Sequence, residues 1–340
     1  MKRELTYQPV RYFVSVFVAT FLLWGVGAYM SFDDDLRPYY MLPMLIGLMA
    51  PFLVALLLIV RGGREAQRRD FVHRIIDVKR INAPSFVRLL LIMPASVLGA
   101  IAISVLWGGD IAQFQPKGTF SFSSGFVPVV LLLFLAAAFE ELGWRGYGFE
   151  SLHERHGLLG ASLLFGLLWS AWHLPLIVVQ GSYQYEIFQL SPWFALNFHV
   201  STVVLGLIVT WVCVTSRGSI LAAVVFHFVV NICQEALSMT QETKVIQTGL
   251  LGLAALIIVW VQRRHFLPRR PLWRSVQAPC AAGGGECRWC CRLWVSRPST
   301  RPTLWVCCWP SWSSPVMPSS AGRPSPPSRH RRESSLCWRG

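Results

Sequence analysis

Eight apolar runs joined by short polar connections constrain this chain more than any other feature of its sequence. A membrane-crossing helix needs roughly 20 predominantly apolar residues. Runs of that kind occupy residues 10–31, 39–60, 86–107, 122–141, 157–179, 195–215, 220–237 and 245–261. Lipid offers no partner to backbone N–H and C=O groups, so a segment that crosses it satisfies them internally as a helix. The expected fold is therefore all-α: a polytopic transmembrane bundle of about eight helices within residues 1–270, with its motif core at 122–237. Charged residues make up only 14% of the chain, against about 25% in a soluble domain. The first run is too long, and lacks the small-x-small cleavage pattern, for a removable signal peptide.

The connections predict an orientation. Arg61, Arg64, Arg68, Arg69, Arg74, Lys79 and Arg80 separate the second and third runs, whereas Asp33, Asp34 and Asp35 precede the second. Short loops rich in Lys and Arg stay in the cytoplasm. That places both termini inside, together with Arg217 and the basic stretch at 263–270. The formal net charge of +14 does not imply a nucleic-acid partner, because no basic face interleaved with exposed aromatics accompanies it. Residues 271–340 hold 10 Arg against 2 Glu, and so contribute +8 of that charge. They also hold seven of the nine Cys, with no Lys and no helical or strand period. The pair Cys287 and Cys290, followed by Cys291, Cys307 and Cys308, lacks the paired spacing of a zinc site. This tail reads as disordered or as an out-of-frame or artefactual extension.

Ionisable side chains inside a bilayer cost at least a few kcal/mol, so each one is a functional candidate. The fourth run ends in Glu140-Glu141-Leu142-Gly143-Trp144-Arg145. Glu141 and Arg145 are four apart, in the order that favours an ion pair. Glu140 projects about 100° away and has no such partner, which leaves its carboxylate able to act as a general base. In the fifth run Trp169 and His173 share a face, so the indole packs beside the imidazole, and Pro175 breaks the helix just beyond. In the seventh, His227 and Asn231 share a face and form a donor pair suited to an oxyanion. His199 lacks such a partner pattern and is assigned to packing. A carboxylate, two imidazoles and an amide suit attack of water on an amide bond. Glu, His and His are also a zinc ligand set, although H-E-x-x-H is absent. Neither G-x-S-x-G nor a Cys with an adjacent His appears, so a serine or cysteine hydrolase is disfavoured.

These motifs, Glu140-Glu141 with Arg145, Trp169 with His173, and His227 with Asn231, follow one another over residues 139–231. They resemble the CAAX protease and bacteriocin-processing (Abi) family of intramembrane proteases. The resemblance implies an endopeptidase like the type II CAAX prenyl protease, which removes the last three residues of a prenylated C-terminus. It implies that Glu140 and His173 activate water, that His227 and Asn231 form the oxyanion hole, and that Glu141, Arg145 and Trp169 support them. It implies either no cofactor or a divalent metal such as zinc, which Glu140, His173 and His227 would hold. The metal-free form is favoured, because Asn231 is a poor zinc ligand and a good donor. Expected partners are membrane lipid and a prenylated or other peptide, reached from the cytoplasmic side. The alternatives are maturation of bacteriocin or peptide precursors, self-immunity, and a non-proteolytic transporter or scaffold. The transporter reading is weakened by the lack of internal repeats. One geometric condition applies. With straight spans His173 lies about 24 Å from the cytoplasmic end of its helix, while Glu140 lies near that end. The site therefore requires residues 157 to about 164 to be interfacial or tilted.

Overall fold

The computed structural model describes residues 7–63, 65–118 and 128–267. The expectations for Arg64, for 122–127 and for the tail from 271 onward lie outside them. The helices are α1 (Pro9–Ser31), α2 (Met41–Gly62), α3 (Glu65–Ile76), α4 (Ala83–Leu106), α5 (Val129–Gly143), α6 (Phe149–Trp172), α7 (Tyr183–Leu190), α8 (Pro192–Thr215), α9 (Ile220–Ala236) and α10 (Gln241–Val261). Among the described residues no β-strand forms, and the molecule is an all-α helical bundle. Six helical stretches are long and apolar enough to cross a membrane. One of them, Val129–Val178, contains both α5 and α6, and Ile220–Ala236 is apolar but shorter. Each of the eight apolar runs thus falls on a helix. Starts are set by local chemistry: Asn82, Ser219 and Thr240 cap α4, α9 and α10 by accepting from Ser85, Ala222 and Thr243 N–H.

The fourth run does not end at Glu141. The chain stays helical through a π-helical turn at Trp144–Gly148 and on into α6. It breaks only at Gly157, whose φ of 69° is open to glycine and strained for other residues. There it turns back on itself: Phe149 packs on Phe165, Trp144 on Trp172, and Trp169 reaches Glu140. Glu140 is 17 residues before the break and His173 is 16 after it, about 25 Å along each arm. The two are therefore level. This corrects the condition set by straight spans. No interfacial segment at 157–164 is needed, and Leu158, Ala161 and Ser162 are buried.

Two close approaches lock the bundle. A Cβ on Gly166 would meet the Val203 carbonyl at 2.8 Å, and one on Gly206 would meet Gly166 Cα at 2.8 Å, so α6 and α8 cross backbone to backbone, as small residues allow in membranes. In α2, Pro51 has no N–H and frees the Gly47 carbonyl. Thr20 Oγ1 donates to that carbonyl at 3.2 Å and accepts from Trp172 Nε1 at 2.9 Å. One hydroxyl thus joins α1, α2 and the end of α6. The basic connections converge at one end, where Arg74 Nε donates to the Gly218 carbonyl and Arg80 to that of Arg217.

Overpacking a tight contact typically costs about 1–3 kcal/mol. Gly166→Val and Gly206→Val are expected to lower thermal stability in detergent by that amount or more. Gly249, which a Cβ would leave in open space, is the control: Gly249→Val should leave the melting temperature within experimental error.

Candidate active site

Glu141 is fully buried and uses both carboxylate oxygens. Oε2 accepts from Arg145 Nε at 2.9 Å, the pairing that i,i+4 spacing predicts, and Oε1 accepts from His227 Nδ1 at 3.0 Å. Arg145 is equally buried; it donates to Thr210 Oγ1 at 3.0 Å and lies 4.0 Å over the Phe165 ring. Glu140, next in sequence, forms no ion pair among the described residues. Its Oε2 accepts from Trp169 Nε1 at 2.7 Å and, at longer range, from Trp144 Nε1 at 3.4 Å.

Trp169 does more than pack beside His173, the role its spacing predicts. Its indole holds Glu140 and its carbonyl oxygen faces His173 Nδ1 at 2.8 Å. That carbonyl is available because α6 ends at Trp172 ahead of Pro175, and His173 N–H bonds back to Ser170 instead. A carbonyl only accepts, so Nδ1 of His173 carries the proton and Nε2 is the working nitrogen. The His227 ring stands edge-on to Trp169 at 5.3 Å between centroids, and its Nδ1 is likewise taken, by Glu141. Asn231 donates from Nδ2 to the Leu133 carbonyl at 3.2 Å, which leaves its second amide N–H. His199 bonds Ser170 Oγ at 3.0 Å, a contact between α6 and α8.

Glu140, His173, His227 and Asn231 line one cavity of about 320 Å³. Its apolar walls include Trp24, Met44, Leu48 and Phe198, and Tyr40, Ser182, Tyr183, Gln184 and Lys244 line its end away from Trp144. These residues adjoin the connections after α1, after α6 and before α10, opposite the end where Arg74, Arg80 and Arg217 meet. At the arginine end aromatic side chains pack around Trp144.

The donor set does not form a metal cradle as placed. Among the described residues no group of three or more His, Cys, Asp or Glu is positioned to hold a metal ion. Trp144, Thr210 and Phe165 are contributors that the sequence reading missed. An indole four residues from Glu140 and a hydroxyl on an apolar helix were the available signals. Removing one partner of a buried ion pair costs about 3–5 kcal/mol. Arg145→Ala should therefore unfold at markedly lower temperature in detergent. Glu140→Gln, which keeps an acceptor for both indoles, should shift stability by no more than about 1 kcal/mol.

Residues 122–233, which include every candidate site residue, match the Rce1-like type II CAAX prenyl endopeptidase family. The CAAX prenyl protease 2 of Methanococcus maripaludis is 49% identical over 263 residues, 77% of this chain and 97% of that protein. This multi-pass membrane chain belongs to the Rce1-like family of type II CAAX prenyl endopeptidases.

Proposed function

We propose that this intramembrane endopeptidase removes the C-terminal tripeptide of prenylated proteins or peptides with a water activated by Glu140 and His173. The observation that carries the reading is the division of labour between adjacent carboxylates. Glu141 is occupied by Arg145 and His227, while Glu140 faces the cavity held only by indole N–H groups. A carboxylate accepting from neutral donors keeps lone pairs for the proton of a water. The aliphatic and aromatic walls suit an isoprenoid chain, and the polar floor suits the peptide bond beside it.

In this reading water lies between Glu140 and Nε2 of His173. Its oxygen adds to the scissile carbonyl carbon as its proton passes to Glu140. The oxyanion is met by the second amide N–H of Asn231 and by Nε2–H of His227, which acts here as the doubly protonated imidazolium because its Nδ1–H is given to Glu141. Collapse breaks the C–N bond, and the proton held by Glu140 passes to the departing amine. Every proton is thus accounted for by groups on this chain, and we favour the metal-free form because Asn231 is a poor zinc ligand and a good donor. Tyr40, Ser182, Tyr183 and Gln184 would then form a mouth on the cytoplasmic side, where prenylated tails are made, and the basic connections would face outward against the usual charge bias.

Purified enzyme offered a farnesylated CAAX peptide should release the tripeptide. Glu140→Gln and His173→Ala should lower kcat/KM by about 100- to 10,000-fold, and His227→Ala by about 100- to 1,000-fold. Activity should persist in chelator; loss that zinc restores would overturn the metal-free form. Orientation has its own test, in a background stripped of native cysteines. In intact cells an impermeant maleimide should reach Arg69→Cys and miss Gln184→Cys; the opposite pattern sinks the cytoplasmic mouth.

A further inference from the structure

We infer that Lys244 reads the C-terminal carboxylate of the substrate and thereby sets cleavage three residues from the chain end, an assignment that rests on the function proposed above. Lys244, Thr248 and Leu251 all line the cavity, and their i, i+4, i+7 spacing places them on one face of α10. The ammonium donates to Tyr183 Oη at 3.0 Å and lies 4.4 Å from the Tyr183 ring centroid. Tyr183 in turn donates to Gln241 Oε1 at 2.9 Å, which fixes the phenol and so the amine. Both partners of the ammonium are neutral, and among the described residues Lys244 forms no ion pair. Glu235 is close enough to act on it electrostatically, but bonds Lys117 at 3.0 Å. A cation with neutral partners on the wall of a largely apolar cavity gains a strong, charge-assisted bond when an anion arrives.

The substrate supplies one such anion whatever its side chains are. The prenylated residue marks one side of the scissile bond, and on the other side the terminal carboxylate is the charged group common to every tail. The spacing agrees. Gln234 on α9 donates to Gln247 on α10 at 3.1 Å, which sets those two residues level. Gln234 is seven residues beyond His227 and Lys244 is three residues nearer the mouth than Gln247, so Lys244 stands about 15 Å from His227 along the bundle. Three extended residues span about 10 Å, and a hydrogen bond of about 3 Å at each end makes up the rest.

The test compares one prenylated peptide ending in a free carboxylate with the same peptide ending in an amide. Wild-type enzyme should favour the acid by about 10- to 100-fold in kcat/KM, chiefly through KM. Lys244→Met should bring that ratio close to one, and Lys244→Arg should restore most of it. If the ratio survives Lys244→Met, or if Lys244→Met slows both peptides equally, Lys244 is a structural residue and the inference is overturned while the protease reading stands. If the wild-type enzyme cleaves neither peptide, the proposed function itself falls.

Discussion

The structure turns on the charge held by Glu141. A carboxylate with no exposed surface is very unfavourable in a lipid-surrounded core unless each oxygen is compensated, and here Arg145 and His227 compensate one each. Those two partners reach outward in turn. Arg145 ties α5 to α8 through Thr210 and to α6 through the Phe165 ring. His227 brings α9 against α5 and stands on the face of Trp169. A buried ion pair is weak evidence for stability, since an apolar packing of equal volume often does as well. What the network achieves is placement: with Glu141 saturated, Glu140 is left facing the cavity with neutral donors alone.

The π-helical turn belongs to the same arrangement. A helix that widens to admit an extra residue shifts everything after it, and such bulges gather at functional sites. Trp144 and Arg145 lie in that turn, one donating to Glu140 and the other to Glu141. Adjacent acids are thus served by adjacent residues of one turn. The glycines of this segment are needed for contact: a Cβ on Gly143 would strike the Pro51 backbone, and one on Gly146 the Phe71 ring.

Which parts of this were legible in the sequence follows from the range of each interaction. The apolar runs mark the helices because lipid imposes a length and forbids unsatisfied backbone. The Glu141 to Arg145 pair was readable because i,i+4 geometry is local. The bond from His227 to Glu141 spans 86 residues, and no periodicity announces it. The end of the fourth run was misplaced for a physical reason. Residues 150–156 include Glu150, His153, Glu154, Arg155 and His156, which look like an interface, yet they continue the same helix beyond the bundle's apolar belt. Reading the run as ending at Glu141 set Glu140 at a membrane surface, when the turn is in fact about 25 Å away. Trp169 was read as a rotamer wall, because sequence spacing shows which residues share a face and not which atom of an indole meets which partner.

The arginine end of the bundle is closed by aromatic packing. Trp144 is fully buried and packs against Tyr12, Phe13, Phe165 and Trp172. This aromatic floor lies between Glu140 and the end where the arginines bond the Gly218 and Arg217 carbonyls. Those arginines are therefore engaged in closing the bundle, so the charge of these connections serves packing. With the floor closed, among the described residues the cavity that reaches Glu140 is walled from mid-bundle to the opposite end. A substrate whose terminal carboxylate stays beside Tyr183 and Lys244 would present to Glu140 the bond three residues back from its end, so the α10 face that lines the cavity is also the proposed ruler for length.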